Sequence, residues 1–360
     1  MFQGNLHVNT ANAGGIMFQI ELLKWFDLQK RSMPWRNTYR PYHIWLSEVM
    51  LQQTQVATVI PYFERFIEKY PSLEALANGN EAEVLKLWEG LGYYSRARRL
   101  IPCAQQVISE HGGQFPKDYK KLLSLPGIGP YTAGAILSIA YNIKQPAVDG
   151  NVKRVFSRLY NLSDPVNEPK AHGVFEMLVK EVLPEDVRNF NQALMELGAL
   201  ICKPSSPLCH ACPIERYCQA KELGTQQQLP VYKKKAEKKL RHWCVVLIEH
   251  QGSLLVEFRS EETLLGQMWG LPALEVSKDG YKVKAIQSYL TSYGVEASDL
   301  LYLGEVKHVF THQVWKMGVF YEQVKKKQSL KKGEWHLIEE LDRLTIATAF
   351  RKVLKKLEER

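Results

Sequence analysis

Two short stretches of the chain, 125–131 and 149–151, combine residue types that could act on a sugar or on its phosphate. The first reads LPGIGPY, and its Gly127 and Gly129 would let the backbone approach a partner closely. The helix expected after it begins with unpaired amides, which favour an anion such as a phosphate. In the second stretch, Asp149 precedes another helix, whose dipole favours an ionised carboxylate. Together the stretches indicate chemistry on a nucleic-acid backbone or its sugar, although each alone is also typical of an ordinary turn or an N-cap aspartate.

Four of the six cysteines are clustered in one short segment that follows a predicted helix. Clustered thiols in a chain without a secretory signal indicate metal binding rather than disulfides. Four cysteine ligands suit zinc or a [4Fe–4S] cluster, but structural zinc prefers two closely spaced cysteine pairs, and the first gap here is longer. The pattern therefore favours the iron–sulfur cluster, with zinc as an alternative, on Cys202, Cys209, Cys212 and Cys218.

The composition fits a polyanionic partner. The chain of 360 residues has a formal net charge of +9 and a pI near 9.0, which suits nucleic acid without requiring it. No apolar run has the length of a membrane span, and residues 1–16 are polar and lack the apolar core of a signal peptide. We therefore expect a disordered leader at 1–16, a cytoplasmic location and no membrane association. The sequence shows no oligomerisation stripe, so a monomer is expected.

Helical elements are expected to position these residues. Apolar residues recur at helical spacing over 17–224, including one continuous stretch over 42–69 and a helix–hairpin–helix over 118–142. Residues 225–242 are polar and then strongly basic, which is typical of an exposed linker.

The pattern changes after the linker. Residues 243–360 contain alternating apolar runs, a predicted hairpin around Gln251-Gly252 and a predicted helix over 281–293. This mixture predicts a second domain of α+β type. The chain is therefore expected to be multidomain, with a mostly α-helical first domain.

Several motifs resemble a known superfamily. The segments LPGIGPYTAGAI and AVDGNVKRV, together with the cysteine loop at 202–218, resemble the helix–hairpin–helix DNA glycosylases that carry an iron–sulfur cluster. Residues 45–54, WLSEVMLQQT, and 88–96, WEGLGYYSR, are similar to the adenine DNA glycosylase (MutY) family within that superfamily. The resemblance extends from about residue 18 to residue 220.

The resemblance implies a base-excision-repair enzyme. Its members hydrolyse the N-glycosidic bond of adenine mispaired with 8-oxoguanine or guanine in duplex DNA, after the adenine is flipped out. It also implies a [4Fe–4S] cluster on the four cysteines. A Nudix-like fold at 243–360 would read the oxidised guanine. The predicted helix at 281–293 has no acidic residue, so the magnesium site of a working Nudix hydrolase is missing.

Cleavage of a glycosidic bond needs two carboxyl groups in different environments. Glu48 lies in the apolar segment WLSEVM, where burial would raise its pKa, whereas Asp149 at a helix start should stay charged. From spacing alone, Glu48 is more typical of a surface glutamate. The resemblance implies instead that Glu48 protonates adenine N7 and activates water, and that Asp149 stabilises or captures the sugar cation. It also implies that Tyr131 and Asn151 orient these two groups.

The resemblance further implies contacts with DNA. Relatives with lyase activity carry a lysine at the position of Tyr131, so a monofunctional enzyme that leaves an abasic site is expected. The lesion-reading loop, commonly Phe-Ser-His, is Phe310-Thr311-His312 here. The remaining residues implied to contact adenine, the opposite base or the backbone are Arg31, Leu51, Gln53, Thr54, Tyr93, Gly127, Gly129 and Gln192.

Three other functions remain open. The chain could be an endonuclease III-like glycosylase and lyase for oxidised pyrimidines, which Tyr131 and the C-terminal domain disfavour. It could be a DNA-binding protein without catalytic activity, in which replacing Glu48 by Gln would alter only affinity. A Nudix pyrophosphatase with a DNA-binding arm is disfavoured by the missing acidic residues.

Overall fold

The computed structural model describes residues 14–234, 237–260, 265–278, 280–325 and 329–359. The predicted leader at 1–16 therefore lies almost entirely outside the described residues, although the first helix begins at Gly14 within it. The described chain forms two compact units. The first contains the chain up to Glu81 together with Tyr93–Lys234, and the second contains Ala82–Gly92 and the chain that follows residue 234.

The described helices lie mostly in the first unit. In chain order they are α1 (Gly14–Gln29), α2 (Pro41–Leu51), α3 (Val56–Lys69), α4 (Leu73–Ala77), α5 (Glu81–Leu87), α6 (Ser95–Arg98), α7 (Leu100–His111), α8 (Tyr119–Leu123), α9 (Pro130–Ala135), α10 (Gly150–Leu159), α11 (Ala171–Glu181), α12 (Val187–Leu200), α13 (Gln219–Glu222), α14 (Val283–Thr291) and α15 (Thr348–Glu358). A π-helical turn, Ile136–Ala140, continues α9. Among the described residues, no helix is both long and apolar enough to cross a membrane.

One face of α1 anchors the core of the first unit. Phe18, Leu22 and Phe26 are spaced four residues apart, so their side chains lie on the same side of the helix. All three are buried in a cluster with apolar residues of α10, α11 and α12. This packing fixes the start of α10 and the cavity-facing side of α12.

The predicted helical stretch over 42–69 is wrong in one respect, because α2 and α3 are separate helices. The chain leaves the helix after Leu51, and Gln53 has a left-handed φ of 59°. The Arg96 guanidinium closes the end of α2, since its Nη1 donates to the carbonyls of Val49, Met50 and Gln52 at 2.6, 3.0 and 2.7 Å. A side chain more than forty residues away thus ends the helix.

The glycine-rich turn between α8 and α9 confirms the predicted helix–hairpin–helix. Gly127 has a φ of 78°, and a Cβ there would lie 3.0 Å from the Arg99 side chain. Gly134 lets α9 pack directly on the following segment, because a Cβ there would lie 2.0 Å from the carbonyl oxygen of Pro146. That close packing brings the segment leading to Asp149 against the hairpin.

The second unit is an α+β fold built around one mixed sheet. Its described strands are β1 (Lys239–His250), β2 (Ser253–Phe258), β3 (Trp269–Gly270), β4 (Ala273–Val276), β5 (Leu301–Val309), β6 (Gln313–Gln323) and β7 (Glu334–Leu337). The order is β3-β2-β1-β6-β5, with β4 also paired to β1 and β7 to β2. The central pair, β1 and β6, is parallel, and β5 and β6 form an antiparallel hairpin.

Two details differ from the division expected from sequence. Strand β1 begins at Lys239, inside the predicted linker 225–242, because its backbone already pairs with β6 there. The segment Ala82–Gly92 groups with the second unit rather than with the helical one. Within that unit, Arg351 Nε donates to the Glu89 carboxylate at 2.7 Å. The predicted hairpin around Gln251-Gly252 and the helix over 281–293 are confirmed.

Candidate active site

An open cavity of about 1370 Å³ in the first unit collects most of the predicted site residues. Its walls come from α2, the glycine-rich turn, the start of α10 and one face of α12. The predicted residues that line it are Glu48, Tyr131, Asp149, Asn151, Arg31, Leu51, Gln53, Thr54, Gly127, Gly129 and Gln192. The carboxyl groups of Glu48 and Asp149, about 100 residues apart in the chain, therefore face one space large enough for a nucleoside.

Glu48 is the buried acid of this cavity. Helix α2 is buried on all sides, and Glu48 is 5% exposed, so the interpretation as a surface glutamate is wrong. The pKa of Glu48 is raised to about 7: burial is the largest cause and the charge of Asp149 adds to it, while the Tyr131 hydrogen bond and the charge of Arg36 oppose the rise. At neutral pH a substantial fraction of Glu48 therefore carries a proton.

Tyr131 connects the hairpin to this acid. It is the second residue of α9, directly after Pro130, and its hydroxyl donates to Glu48 Oε2. The same hydroxyl lies 3.2 Å from the Met195 sulfur of α12. Burial and the two neighbouring carboxylates raise the pKa of Tyr131 well above its usual value, so the phenol stays a donor. Its position fixes which oxygen of Glu48 is left to face the cavity.

Asp149 caps the start of α10. Its Oδ1 accepts the Val152 amide at 2.7 Å, and its Oδ2 accepts the Asn151 side-chain amide at 2.7 Å. Burial nevertheless raises the pKa of Asp149 above its ordinary value, against the lowering by these hydrogen bonds and by the charge of Arg154. Burial is the largest single influence on this carboxyl, and the helix start that the sequence indicated acts against it.

Arg154 is a site residue that the sequence reasoning missed. Its Nη2 donates to Asn151 Oδ1 at 2.8 Å and to the Gly198 carbonyl at 2.9 Å, and its Nε donates to the Cys202 carbonyl at 2.7 Å. It therefore holds the amide that holds Asp149. Arg154 lies one helical turn after Asn151 on α10, and this spacing was the sequence signal that could have predicted their contact.

Glu196 is the second missed residue. This carboxylate on α12 pairs with Arg31 at 2.7 Å and with Arg36 at 3.0 Å, and all three side chains line the cavity. Gln192, one turn earlier, accepts from Arg36 Nε at 3.0 Å and donates to the Arg188 carbonyl at 3.2 Å. The predicted adenine contacts Arg31 and Gln192 are thus both held by protein partners.

Gln53 and Tyr93 lie together beside the main cavity. Both have left-handed φ values, 59° and 50°, and the Tyr93 hydroxyl donates to Gln53 Oε1. Both also line a smaller neighbouring cavity of about 240 Å³. Tyr93 is 42% exposed, so its ring does not lie in the core. An exposed ring next to a strained backbone suits insertion into a base stack.

The four cysteines of the loop are free thiols that share one region of the first unit. Burial raises the pKa of Cys209 and Cys218, and that of Cys212 to about 12, and each also feels the charge of the other cysteines. The buried Arg158 of α10 donates from Nη1 to Cys202 Sγ at 3.3 Å. Among the described residues, no group of three or more His, Cys, Asp or Glu side chains lies close enough together to hold a single metal ion.

The predicted lesion-reading loop lies in the second unit, at the turn between β5 and β6. The Phe310 amide donates to the Gln313 carbonyl at 2.8 Å, and the Phe310 ring packs on Trp315 with centroids 4.9 Å apart. Thr311 and His312 are exposed at the tip. Helix α14, VKAIQSYLT, carries no acidic side chain.

Comparisons with known proteins show which family has this sequence and fold. The chain matches the HhH-GPD superfamily base excision DNA repair protein family over residues 46–181 and the NUDIX domain family over 243–356. A solved thermostable thymine-DNA glycosylase superposes with a TM-score of 0.54 at 30% identity, covering 59% of this chain and 99% of that one. The adenine DNA glycosylase of Buchnera aphidicola is 33% identical over 82% of this chain and 83% of its own length. The adenine DNA glycosylase of Rattus norvegicus is 35% identical over 95% of this chain and 78% of its own length. The chain therefore belongs to the adenine DNA glycosylase family.

Proposed function

We propose that this protein is a monofunctional adenine DNA glycosylase, a hydrolase that removes adenine paired with 8-oxoguanine or guanine from duplex DNA. The observation that carries the proposal is the pair of unlike carboxyl groups, Glu48 and Asp149, in one nucleoside-sized cavity. A DNA-binding protein without catalysis would have no use for a buried, proton-bearing glutamate bonded to a buried tyrosine.

The reaction begins when adenine leaves the base stack, which costs a few kcal/mol. Glu48 transfers its proton to adenine N7, so the electron pair of the C1′–N9 bond departs with a neutral base. The cationic sugar is stabilised by the Asp149 carboxylate, which the Val152 and Asn151 donors hold in place. Water then bonds to C1′ and gives its proton to the Glu48 carboxylate, which restores the starting state.

The strand is left intact because no amine occupies the lyase position. A lyase needs a lysine that attacks C1′ and forms a Schiff base. Here that position is Tyr131, whose hydroxyl is committed to Glu48. The product is therefore an abasic site that breaks only after alkali treatment.

The remaining DNA contacts follow from where the structure puts the predicted residues. Gln53, Thr54 and Tyr93 would fill the space left by the flipped base, and the turn at Gly127 and Gly129 would bind a backbone phosphate. Arg31, Leu51 and Gln192 would surround adenine. The exposed Thr311 and His312, with Phe310 behind them, would read the oxidised guanine. We further propose that the enzyme acts as a monomer in the cytoplasm.

The cysteine loop would hold a [4Fe–4S] cluster. The donor set fits, since four free thiols share one partly buried region and Arg158 offers its guanidinium to the Cys202 sulfur, as a thiolate ligand would require. A cluster held by these four cysteines would cross-link the loop. Arg158 and Arg154 connect that loop to α10 through the Lys203 and Cys202 carbonyls. Iron and sulfide analysis of the purified protein separates this group from zinc.

The decisive assay uses a labelled duplex with a single A:8-oxoguanine pair, with an A:T duplex as the control. Breakage at adenine that appears only after hot alkali supports the proposal, and breakage without alkali would indicate a lyase. If the A:8-oxoguanine duplex stays intact both with and without alkali, the protein is a binding protein without this activity. Glu48→Gln should abolish breakage while leaving duplex binding in a gel-shift assay.

A further inference from the structure

Glu196 is a buried carboxylate on the cavity wall that has no role in the reaction as described. It is 2% exposed and accepts four hydrogen bonds. Arg31 donates from its amide at 3.1 Å, from Nε at 2.7 Å and from Nη2 at 3.1 Å, and Arg36 donates from Nη2 at 3.0 Å. Burial alone would raise the pKa of Glu196, but these donors outweigh burial and lower it. One ionised carboxylate therefore holds two guanidinium groups.

Arg36 is the guanidinium that matters for the acid. It is fixed by Glu196, by Gln192 Oε1 at 3.0 Å and by the Arg31 carbonyl at 2.9 Å. It also acts on Glu48, where its positive charge works against the rise in pKa that burial causes. Arg36 and Glu48 line the same cavity, and a cation facing a buried carboxyl group would, if unbalanced, favour the loss of its proton.

We propose that Glu196 is a positioning residue for proton transfer: it anchors and neutralises Arg36, so that Glu48 keeps its proton for adenine instead of forming an ion pair. The inference rests on the proposed glycosylase function. Three further groups act on Glu48 or on Glu196. The Tyr131 hydroxyl and the Asp149 carboxylate act on Glu48, and Arg31 acts on Glu196.

The test compares single-turnover adenine excision over a range of pH in wild type, Glu196→Gln, Arg36→Gln and the double variant. Glu196→Gln leaves Arg36 unbalanced, so the alkaline limb of the rate profile should move down by about one pH unit. Arg36→Gln removes the cation and should move the limb in the opposite direction. The double variant should return it close to the wild-type position, because the two charges are lost together.

Glu176→Gln is the matched control. Glu176 is also a partly buried carboxylate, which accepts hydrogen bonds from Tyr119 at 3.0 Å and Gln145 at 3.3 Å. Unlike Glu196, it does not line the cavity. This substitution should leave the limb unmoved. A uniform loss of rate in Glu196→Gln without any shift would overturn the proposal, since a structural role predicts that result. If circular dichroism shows that Glu196→Gln is unfolded, two other results decide the proposal. These are the direction in which Arg36→Gln moves the alkaline limb and the direction in which Glu196→Asp moves it.

A second readout does not depend on catalysis. Carbon-13 labelling of glutamate carboxyl groups allows Glu48 to be titrated by NMR, with Glu48→Gln to assign its signal. An inactive wild type would refute the proposed function, whereas this titration would still decide whether Glu196 holds the proton on Glu48. An identical Glu48 titration in wild type and Glu196→Gln would refute the proposed role of Glu196 and leave the proposed glycosylase function standing.

Discussion

Replacing Glu48 by Gln should stabilise the folded protein at alkaline pH while abolishing catalysis. Burial raises the pKa of this carboxyl from 4.5 to about 7. The native state therefore holds a proton that the unfolded chain has already lost between these values, and stability falls as the pH rises through that interval. Since one pKa unit corresponds to about 1.4 kcal/mol, the full loss is about 3 kcal/mol above neutral pH. Glutamine keeps the shape and cannot ionise.

The measurement is the free energy of unfolding of both proteins at several pH values. Urea unfolding followed by the visible absorbance of the proposed [4Fe–4S] cluster would report on the first unit, which matters because a chain of two units need not unfold in one step. Between about pH 5.5 and about pH 8.5, the advantage of Glu48→Gln over wild type should grow by about 2 kcal/mol. Glu185→Gln, which removes a carboxylate whose side chain is 93% exposed, should show no such growth.

A difference between Glu48→Gln and wild type that stays constant over this range would refute the reasoning. It would mean that Glu48 is already ionised in the fold at acidic pH. The same carboxyl could then not serve as the acid that protonates adenine at neutral pH, and the proposed mechanism would lose its proton donor.

Three further outcomes are expected. Asp149→Asn should lower the single-turnover rate by about 10²–10³-fold with little change in duplex affinity, because it removes the negative charge facing the sugar but keeps hydrogen-bonding atoms; a gel shift and a quench assay separate the two effects. Tyr93→Ala should weaken binding to the mispaired duplex by roughly tenfold, since stacking on a base is lost, and should leave the melting temperature unchanged because the ring is exposed. Arg158→Met should lower the melting temperature and the content of the proposed iron–sulfur cluster together. The buried guanidinium also donates hydrogen bonds to the Leu229, Lys203 and Pro204 carbonyls, which would lose this donor.

Local signals explain the parts of the fold that could be predicted. The glycine at position 127 allows a left-handed backbone that few other residues adopt, and Gln251-Gly252 between two apolar runs indicates a hairpin, so both features were predictable from a few positions. The break between α2 and α3 was not readable, because Arg96 ends α2 from a different helix. Contacts between residues far apart in sequence decide such points.

The same limit applies to the cavity. Arg31 and Glu196 are 165 positions apart, and no spacing rule links them. Arg154 was nearer to prediction, since it follows Asn151 by one helical turn, yet its role depends on the Cys202 and Gly198 carbonyls that only the fold supplies. The side chains that hold the predicted residues in place were therefore the ones missed, although the predicted residues themselves were brought together.

The contrast between the two carboxyl groups has a different origin from the one expected. Sequence reasoning assigned burial to Glu48 and a helix start to Asp149, but burial raises the pKa of both. The two groups differ in the number of partners that favour the charged form. Asp149 receives the Val152 amide, the Asn151 side chain and the charge of Arg154, whereas Glu48 receives one phenol and a cation already engaged by Glu196. Glu48 therefore has fewer donors that favour its charged form, and any substitution that gives it another donor should cost activity before it costs stability.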